Sequence, residues 1–355
     1  MMTKLYTIKN RGLKLISNKN IKKIKVGILL GCLFYFIISS IPLSNISNKT
    51  EVQSKVKISL DPIHDLTGTT IYIDNTNTSN DWDAFQATYA WCTGDGSALD
   101  PYTISQVLID GPSTELITIK NSDVHFSITW CDLLGGYCGI YLDNVTNGEM
   151  LYNKITKNTL TYSSTGIRLY DCEDNFISEN IIQNYPHSIY IKRVNNITII
   201  NNEFTTQNHN TENIFLMSST NITFSKNSIS GAASILFLFG TTNSMFIENE
   251  LSRTSFFLKY DSNYNSFIGN VLLDSATAFY FYSSSYNEVI NNSMYRATEC
   301  FRETEVCIGN VFEGNYCQEG IILPPLEIFG ALIGSIAVAG VTVFMYLKRR
   351  KYIRK

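Results

Sequence analysis

Histidine is scarce in this chain: His64, His125, His187 and His209 are the four among 355 residues, and their spacings are unrelated. There is no Cys-X-X-Cys pair and no His/Cys or Met/His cluster, so no metal ligand is assigned and zinc, haem and soft-metal centres have no sequence support. No cofactor is expected. Acidic residues are missing from both ends. Residues 1–25 and 348–355 hold fourteen of the 28 basic residues and none of the 31 acidic ones, so a formal net charge of −3 conceals a middle at −17. Such a middle repels nucleic acid and polyanionic glycans and favours cations or neutral partners.

Two stretches lack charge altogether. Val26 to Ile41 is an apolar run behind a basic segment, the pattern of a signal peptide or signal anchor. A buried helix would be amphipathic, and this run is apolar all round. Ile328 to Leu347 gives twenty uncharged residues followed by KRRKYIRK. At about 1.5 Å per residue they match a bilayer core, with the basic tail cytoplasmic. The expected order is a basic cytoplasmic N-terminus (1–25), signal peptide or anchor (26–44), linker and cap (45–91), repeats (92–320), stalk (321–327), transmembrane helix (328–347) and basic cytoplasmic tail (348–355). The bilayer is then one partner, and the repeats lie outside the cell. Of eight cysteines, Cys32 falls in the first apolar run and seven lie outside, where disulfides are permitted. Seven is odd, so at least one thiol is left free or pairs between chains.

The middle repeats one phrase: NKI, ENII, NNEF, KNSI, ENEL, GNVL, NNSM, GNVF. Its asparagines are Asn153, Asn180, Asn202, Asn227, Asn249, Asn270, Asn292 and Asn310, with Cys131 in the same place one turn earlier. The intervals are 22, 27, 22, 25, 22, 21, 22 and 18 residues. A period near 22 residues specifies a solenoid. Two residues after each anchor, from Leu133 to Phe312, and three before it, from Ile128 to Cys307, every side chain is apolar. The units are rich in Ile, Phe, Tyr and Thr, alternate at period two and break at Asn, Ser and Asp, which selects strands. The leucine consensus of leucine-rich repeats is absent. The anchoring asparagines are expected to take the left-handed turn conformation and to bond coil to coil as a structural ladder.

The phrases GIYLDNVTNGEMLYNKI (139–155), GIRLYDCEDNFISENII (166–182) and SIYIKRVNNITIINNEF (188–204), with GDGSALDPYTISQVLIDG (94–111), resemble the right-handed parallel β-helix proteins of pectin-lyase-like architecture, especially NosD-like repeat proteins. The resemblance covers roughly residues 92 to 317. It implies an all-β right-handed solenoid of about nine coils, and it is specific for fold but not for function. Polygalacturonase-type enzymes on this fold carry Asn-Thr-Asp, Asp-Asp, Gly-His-Gly and Arg-Ile-Lys motifs, none of which occurs here. The family's copper label finds no ligand set. A polysaccharide-modifying enzyme and a copper-handling protein are therefore the second and third readings, behind a binding or adhesion module.

Upstream, NDWDAFQATYAWCTG reads as a short helix capped by Asn80, with Trp82, Phe85, Gln86 and Tyr89 on one face, covering the open end of the stack. Asp171, Glu173 and Asp174 group at a turn, either solvated or a weak calcium site. Asp143 has no acidic partner at its level, and no catalytic residue is assigned.

Alternation on the strand that opens each coil points Tyr141 and Asp143 outward, then Arg168 and Tyr170, Tyr190 and Lys192, Phe215 and Met217, Phe257 and Lys259, Tyr280 and Tyr282. The same offset sets Leu236 and Leu238 outward, in a coil that carries one extra residue. Tyr141, Arg168, Tyr170, Tyr190, Lys192, Phe215, Phe257, Tyr280 and Tyr282 form the candidate binding stripe, for a neutral glycan or a cell-surface protein. Aromatic pairing across strands explains such rings equally well as plain sheet stabilisation. Asn-X-Ser/Thr sequons at Asn45, Asn48, Asn77, Asn144, Asn196, Asn221 and Asn291 are about as many as chance supplies and permit glycosylation.

Overall fold

The computed structural model describes residues 64–111, 114–157, 164–207, 211–231 and 234–320. The signal or anchor, stalk, transmembrane segment, basic tail and His209 lie outside the described residues. Among the described residues no helix is long and apolar enough to cross a membrane.

Each winding contributes one strand to each of three parallel sheets, of eleven strands (sheet A), ten (sheet B) and ten (sheet C). The chain runs A, B, C and then rises one level, giving a right-handed parallel β-helix of about nine turns. Parallel strands need a crossover, and here the other two sheets supply it.

Sheet A stacks Leu133, Ile155, Ile182, Phe204, Ile229, Leu251, Leu272 and Met294 directly over one another. Sheet C does the same with Ile128, Met150, Ile177, Ile199, Phe224, Phe246, Phe267 and Val289. Both columns are buried. Phe246 and Phe267 stack with centroids 4.9 Å apart and planes 12° from parallel, so one residue type repeated at one offset fills the interior by ring packing. The two columns end differently from the 22-residue reading. Phe312 pairs with Val289, and Cys317 with Met294, because the last winding is anchored by Asn315 and not by Asn310.

The anchors form the ladder expected of them. One Oδ1 accepts both the backbone N–H and the side-chain amide of the asparagine one coil earlier, from Asn153 through Asn180, Asn202, Asn227, Asn249, Asn270 and Asn292 to Asn315. Each Nδ2 also reaches a backbone carbonyl, as from Asn202 to Ile177 at 3.0 Å. The corner between sheets C and A breaks the strand ladder, and these amides satisfy the buried groups left there. The left-handed conformation belongs to the residue before the anchor: Tyr152, Glu179, Asn201, Lys226 and Glu248 have φ between 53° and 58°. The anchor itself must keep its amide inside the turn, so its neighbour takes the strain. A second, shorter ladder, Asn265 to Asn287 to Asn310, serves the corner between sheets B and C.

The solenoid begins upstream of the expected boundary at residue 92. His64–Asp65 and Ile71–Asp74 already pair in sheets A and B. The helix (α1) is Trp82–Thr88, and its cap is Asp81, which accepts the Ala84 N–H at 2.8 Å. Asn80 instead accepts the Asp74 N–H through its carbonyl. Trp82 and Phe85 are buried against the first winding, with Trp82 stacked on Tyr102 at 4.9 Å. At the far end Cys300 and Cys317 form a disulfide across the last two windings. Among the described residues Cys92, Cys131, Cys138, Cys172 and Cys307 remain free.

Candidate binding face on sheet B

The outward side of sheet B carries two rows in strict register. Tyr141, Arg168, Tyr190, Phe215, Phe237, Phe257, Tyr280 and Arg302 make one row. Asp143, Tyr170, Lys192, Met217, Phe239, Lys259, Tyr282 and Thr304 make the other. All nine residues of the sequence-derived stripe stand on these rows. Leu236 and Leu238 do not: both are buried, and Phe237 and Phe239 face outward in their place. Phe237 stands twelve residues before its anchor Asn249, as Phe215 does before Asn227, whereas the offset that set Leu236 outward is thirteen, which is one too long for this winding. Eight strands at about 4.8 Å spacing make the face roughly 34 Å long.

The rings touch from Tyr190 to Tyr280. Tyr190 lies on Phe215 at 4.9 Å and 9°, and Phe215 on Phe237 at 5.2 Å and 14°. Phe237 meets Phe257 at 5.1 Å, and Phe257 meets Tyr280 at 4.6 Å. At the tyrosine end the geometry changes. Tyr141 and Tyr170 cross at 85°, and Tyr170 and Tyr190 at 66°. From Tyr190 to Phe237 the rings therefore lie face to face, Phe237 and Phe257 are tilted by 52°, and Tyr141, Tyr170 and Tyr190 cross more steeply.

Charge is concentrated at the tyrosine end. The Arg168 guanidinium packs over Tyr137 at 5.1 Å and Tyr141 at 5.7 Å, and donates to Thr165 Oγ1 at 3.1 Å. Tyr141 donates its hydroxyl to Asp143 at 3.0 Å, and Lys120 pairs with the same carboxylate at 3.5 Å. Burial, then the bond to Asp143, pushes the Tyr141 phenol above the ordinary range. Burial does the same to Tyr190. Both therefore stay neutral hydrogen-bond donors at physiological pH. Near the other end Lys259 lies 4.8 Å from the Tyr260 ring and 5.4 Å from that of Tyr282, and Arg302 lies 5.6 Å from Tyr280.

The acidic turn is fully engaged. Asp171 pairs with Arg193 at 2.5 Å, Glu173 accepts from Asn195 at 2.5 Å, and Asp174 accepts from Asn196. Each carboxylate bonds to the next winding, so the three do not converge on a cation.

A family model described as the periplasmic copper-binding protein NosD matches residues 16–251 and 153–320. The chain belongs to the NosD family. None of the curated proteins compared matches it. Among solved structures, an alginate lyase from Paenibacillus sp. FPU-7 is 16% identical, covering 63% of this chain and 83% of the lyase at a TM-score of 0.42. Pectate lyase Pel9A is 11% identical over 71% of this chain and 80% of its own, at 0.38. A DFA-IIIase from Arthrobacter chlorophenolicus A6 is 11% identical over 63% of this chain, also at 0.38. This chain spans 60% of that enzyme's length. Scores this low carry no argument about activity.

The described residues of this NosD-family chain do not fit copper. Among the described residues no three of His, Cys, Asp and Glu come together. The His64 ring stacks on Trp91 at 4.9 Å, and His187 Nδ1 lies 2.6 Å from the Glu212 carbonyl oxygen. Cys131, Cys138 and Cys172 are buried, and burial pushes each thiol up to about 12, so none is a ready thiolate ligand.

Proposed function

We propose that this chain is an exported, membrane-anchored binding module whose sheet B face engages a neutral glycan or a cell-surface protein. The observation that supports the reading is the register: outward aromatic side chains stand on consecutive windings from Tyr190 to Tyr280. Sheet stability alone asks for cross-strand pairs worth about 0.2–1 kcal/mol each, not for an apolar row this long. The tyrosine end adds angled rings, neutral hydroxyl donors and the Arg168 and Lys192 cations, a combination suited to sugar hydroxyls and the apolar faces of pyranose rings. The acidic middle disfavours a polyanionic partner.

The basic flanks and the two apolar runs support the anchored, extracytoplasmic placement. Hydrolysis of a glycosidic bond requires two carboxyls about 5–10 Å apart. From Tyr141 to Tyr282 the described outward rows hold one carboxylate, Asp143, and Lys120 and Tyr141 already occupy it. That favours binding over turnover.

The experiment is a glycan and cell-surface-protein array probed with the full chain in nanodiscs. Binding that is lost in Tyr190→Ala/Tyr280→Ala supports the reading. Binding that is unaffected by the double substitution removes it.

A further inference from the structure

The sequence contains about as many sequons as chance supplies, but the structure distributes them unevenly. Asn77, Asn144, Asn196, Asn221 and Asn291 are the sequon asparagines among the described residues, and all five are exposed. The other exposed asparagines among the described residues are Asn80 and Asn243. No buried or half-buried asparagine among the described residues begins a sequon. For the ladder asparagines the fold dictates this, because the residue two places on points into the core and is apolar. It does not dictate it for half-exposed turn asparagines such as Asn147 and Asn201, where the residue two places on faces outward and is Glu149 or Glu203. The partner hydroxyls of the five, on Ser79, Thr146, Thr198, Thr223 and Ser293, are all at least partly exposed.

We propose that these exposed turn asparagines carry N-linked oligosaccharides. The proposal rests on the extracytoplasmic placement argued above. The chemistry is transfer from a lipid-linked oligosaccharyl phosphate by a membrane transferase. The bond from Asn Nδ2 to sugar C1 forms, the C1–O bond of the donor breaks, the phosphate leaves with the lipid, and the amide proton passes to a base.

The sites lie beside the binding rows and never on them. Asn144 is the penultimate residue of a sheet B strand, Cys138–Val145. Asn196 and Asn221 sit at the starts of the sheet C strands Asn195–Ile200 and Thr220–Ser225. Asn291 stands at the corner before Asn292, with φ of 55°. Glycans there project from the solenoid's corners and leave the Tyr141-to-Tyr280 row open. Asn196 and Asn221 occupy matching positions in adjacent windings, as the pairing of Asn195 with Thr220 shows. At about 4.8 Å separation two oligosaccharides crowd each other, so one of the pair is expected to be modified per molecule. The amide bonds at stake, such as Asn221 Nδ2 to Asn195 Oδ1 at 2.8 Å, are exposed and cheap to give up.

The test is glycopeptide mass spectrometry on the full chain purified from its own membranes, beside labelling of surface amines on intact cells with an impermeant reagent. Oligosaccharide mass is expected on the Asn77, Asn144 and Asn291 peptides and on one of Asn196 or Asn221, with none on Asn80 or Asn243. Thr146→Ala, which leaves the Asn144 amide bond in place, should remove one glycan, and Thr198→Ala should shift occupancy to Asn221. Chains labelled from outside but unmodified at all five asparagines overturn this proposal and spare the placement. Chains shielded from the label overturn both.

Discussion

Through a single oxygen, Asn180 holds the backbone N–H of Asn153 at 2.9 Å and its side-chain amide at 3.0 Å. Repeated coil by coil, this relationship makes the corner between sheets C and A a continuous run of amides. A solenoid needs such a run because its corners, unlike its strands, leave backbone groups without partners.

Breaking one link should therefore cost more than an ordinary surface asparagine. Asn202→Ala orphans the buried N–H of Asn180, at about 1–3 kcal/mol for an unsatisfied group, and also removes the side-chain bonds to the Ile177 carbonyl and to Asn227. Urea unfolding is expected to show a loss of about 3 kcal/mol, whereas Asn201→Ala, in the left-handed position next door, should cost less. Equal losses would mean that the ladder is incidental.

Thiol reactivity should follow burial. Burial raises the Cys92 thiol to about 11 and those of Cys131, Cys138 and Cys172 to about 12, while Cys307 is half-exposed. Among the described cysteines only Cys307 should react with iodoacetamide at pH 8 in the native protein, and the other four only after unfolding. Peptide mapping of alkylated protein checks it, and rapid labelling of Cys138 would contradict the packing.

The Asp74 carboxyl is lowered to about 2, chiefly by its bond from Asn121 and then by those from Thr76. A carboxylate whose folded value lies below its unfolded one contributes stability above the unfolded value, and loses it as pH falls toward the folded value. The difference in urea midpoint between the natural chain and Asp74→Asn should thus be at full size from about pH 5 upward and shrink between about pH 4 and pH 2. A difference independent of pH would exclude the linkage.

The columns and the first ladder were legible because one residue class recurs at one offset. Leu133 to Met294 and Asn153 to Asn292 need only a period to be found. The last winding was misread because Asn310 and Asn315 both sit behind a glycine and ahead of an aromatic or apolar pair, and only the three-dimensional register assigns them to different corners. The second ladder was hidden because its earlier rungs include Ile222 and Ser244, with Ser244 Oγ receiving the Ile222 N–H in place of an amide. Phe237 was missed because a spacing of thirteen residues to the anchor, which holds for Phe257 and Asn270, does not hold one winding earlier, where Phe237 is twelve residues before Asn249. The first winding escaped notice because α1 interrupts it between Asp74 and Tyr102.

The central claim concerns what the sheet B face does, and one comparison tests it most directly. Surface plasmon resonance of the full chain in nanodiscs, against the neutral glycan or surface protein that binds it best, should show Tyr190→Ala/Tyr280→Ala weakened at least tenfold, the effect of removing about 1.4 kcal/mol of ring stacking on the ligand, with the unfolding midpoint little changed. An affinity equal to that of the natural chain would contradict the account and leave those rings as sheet packing.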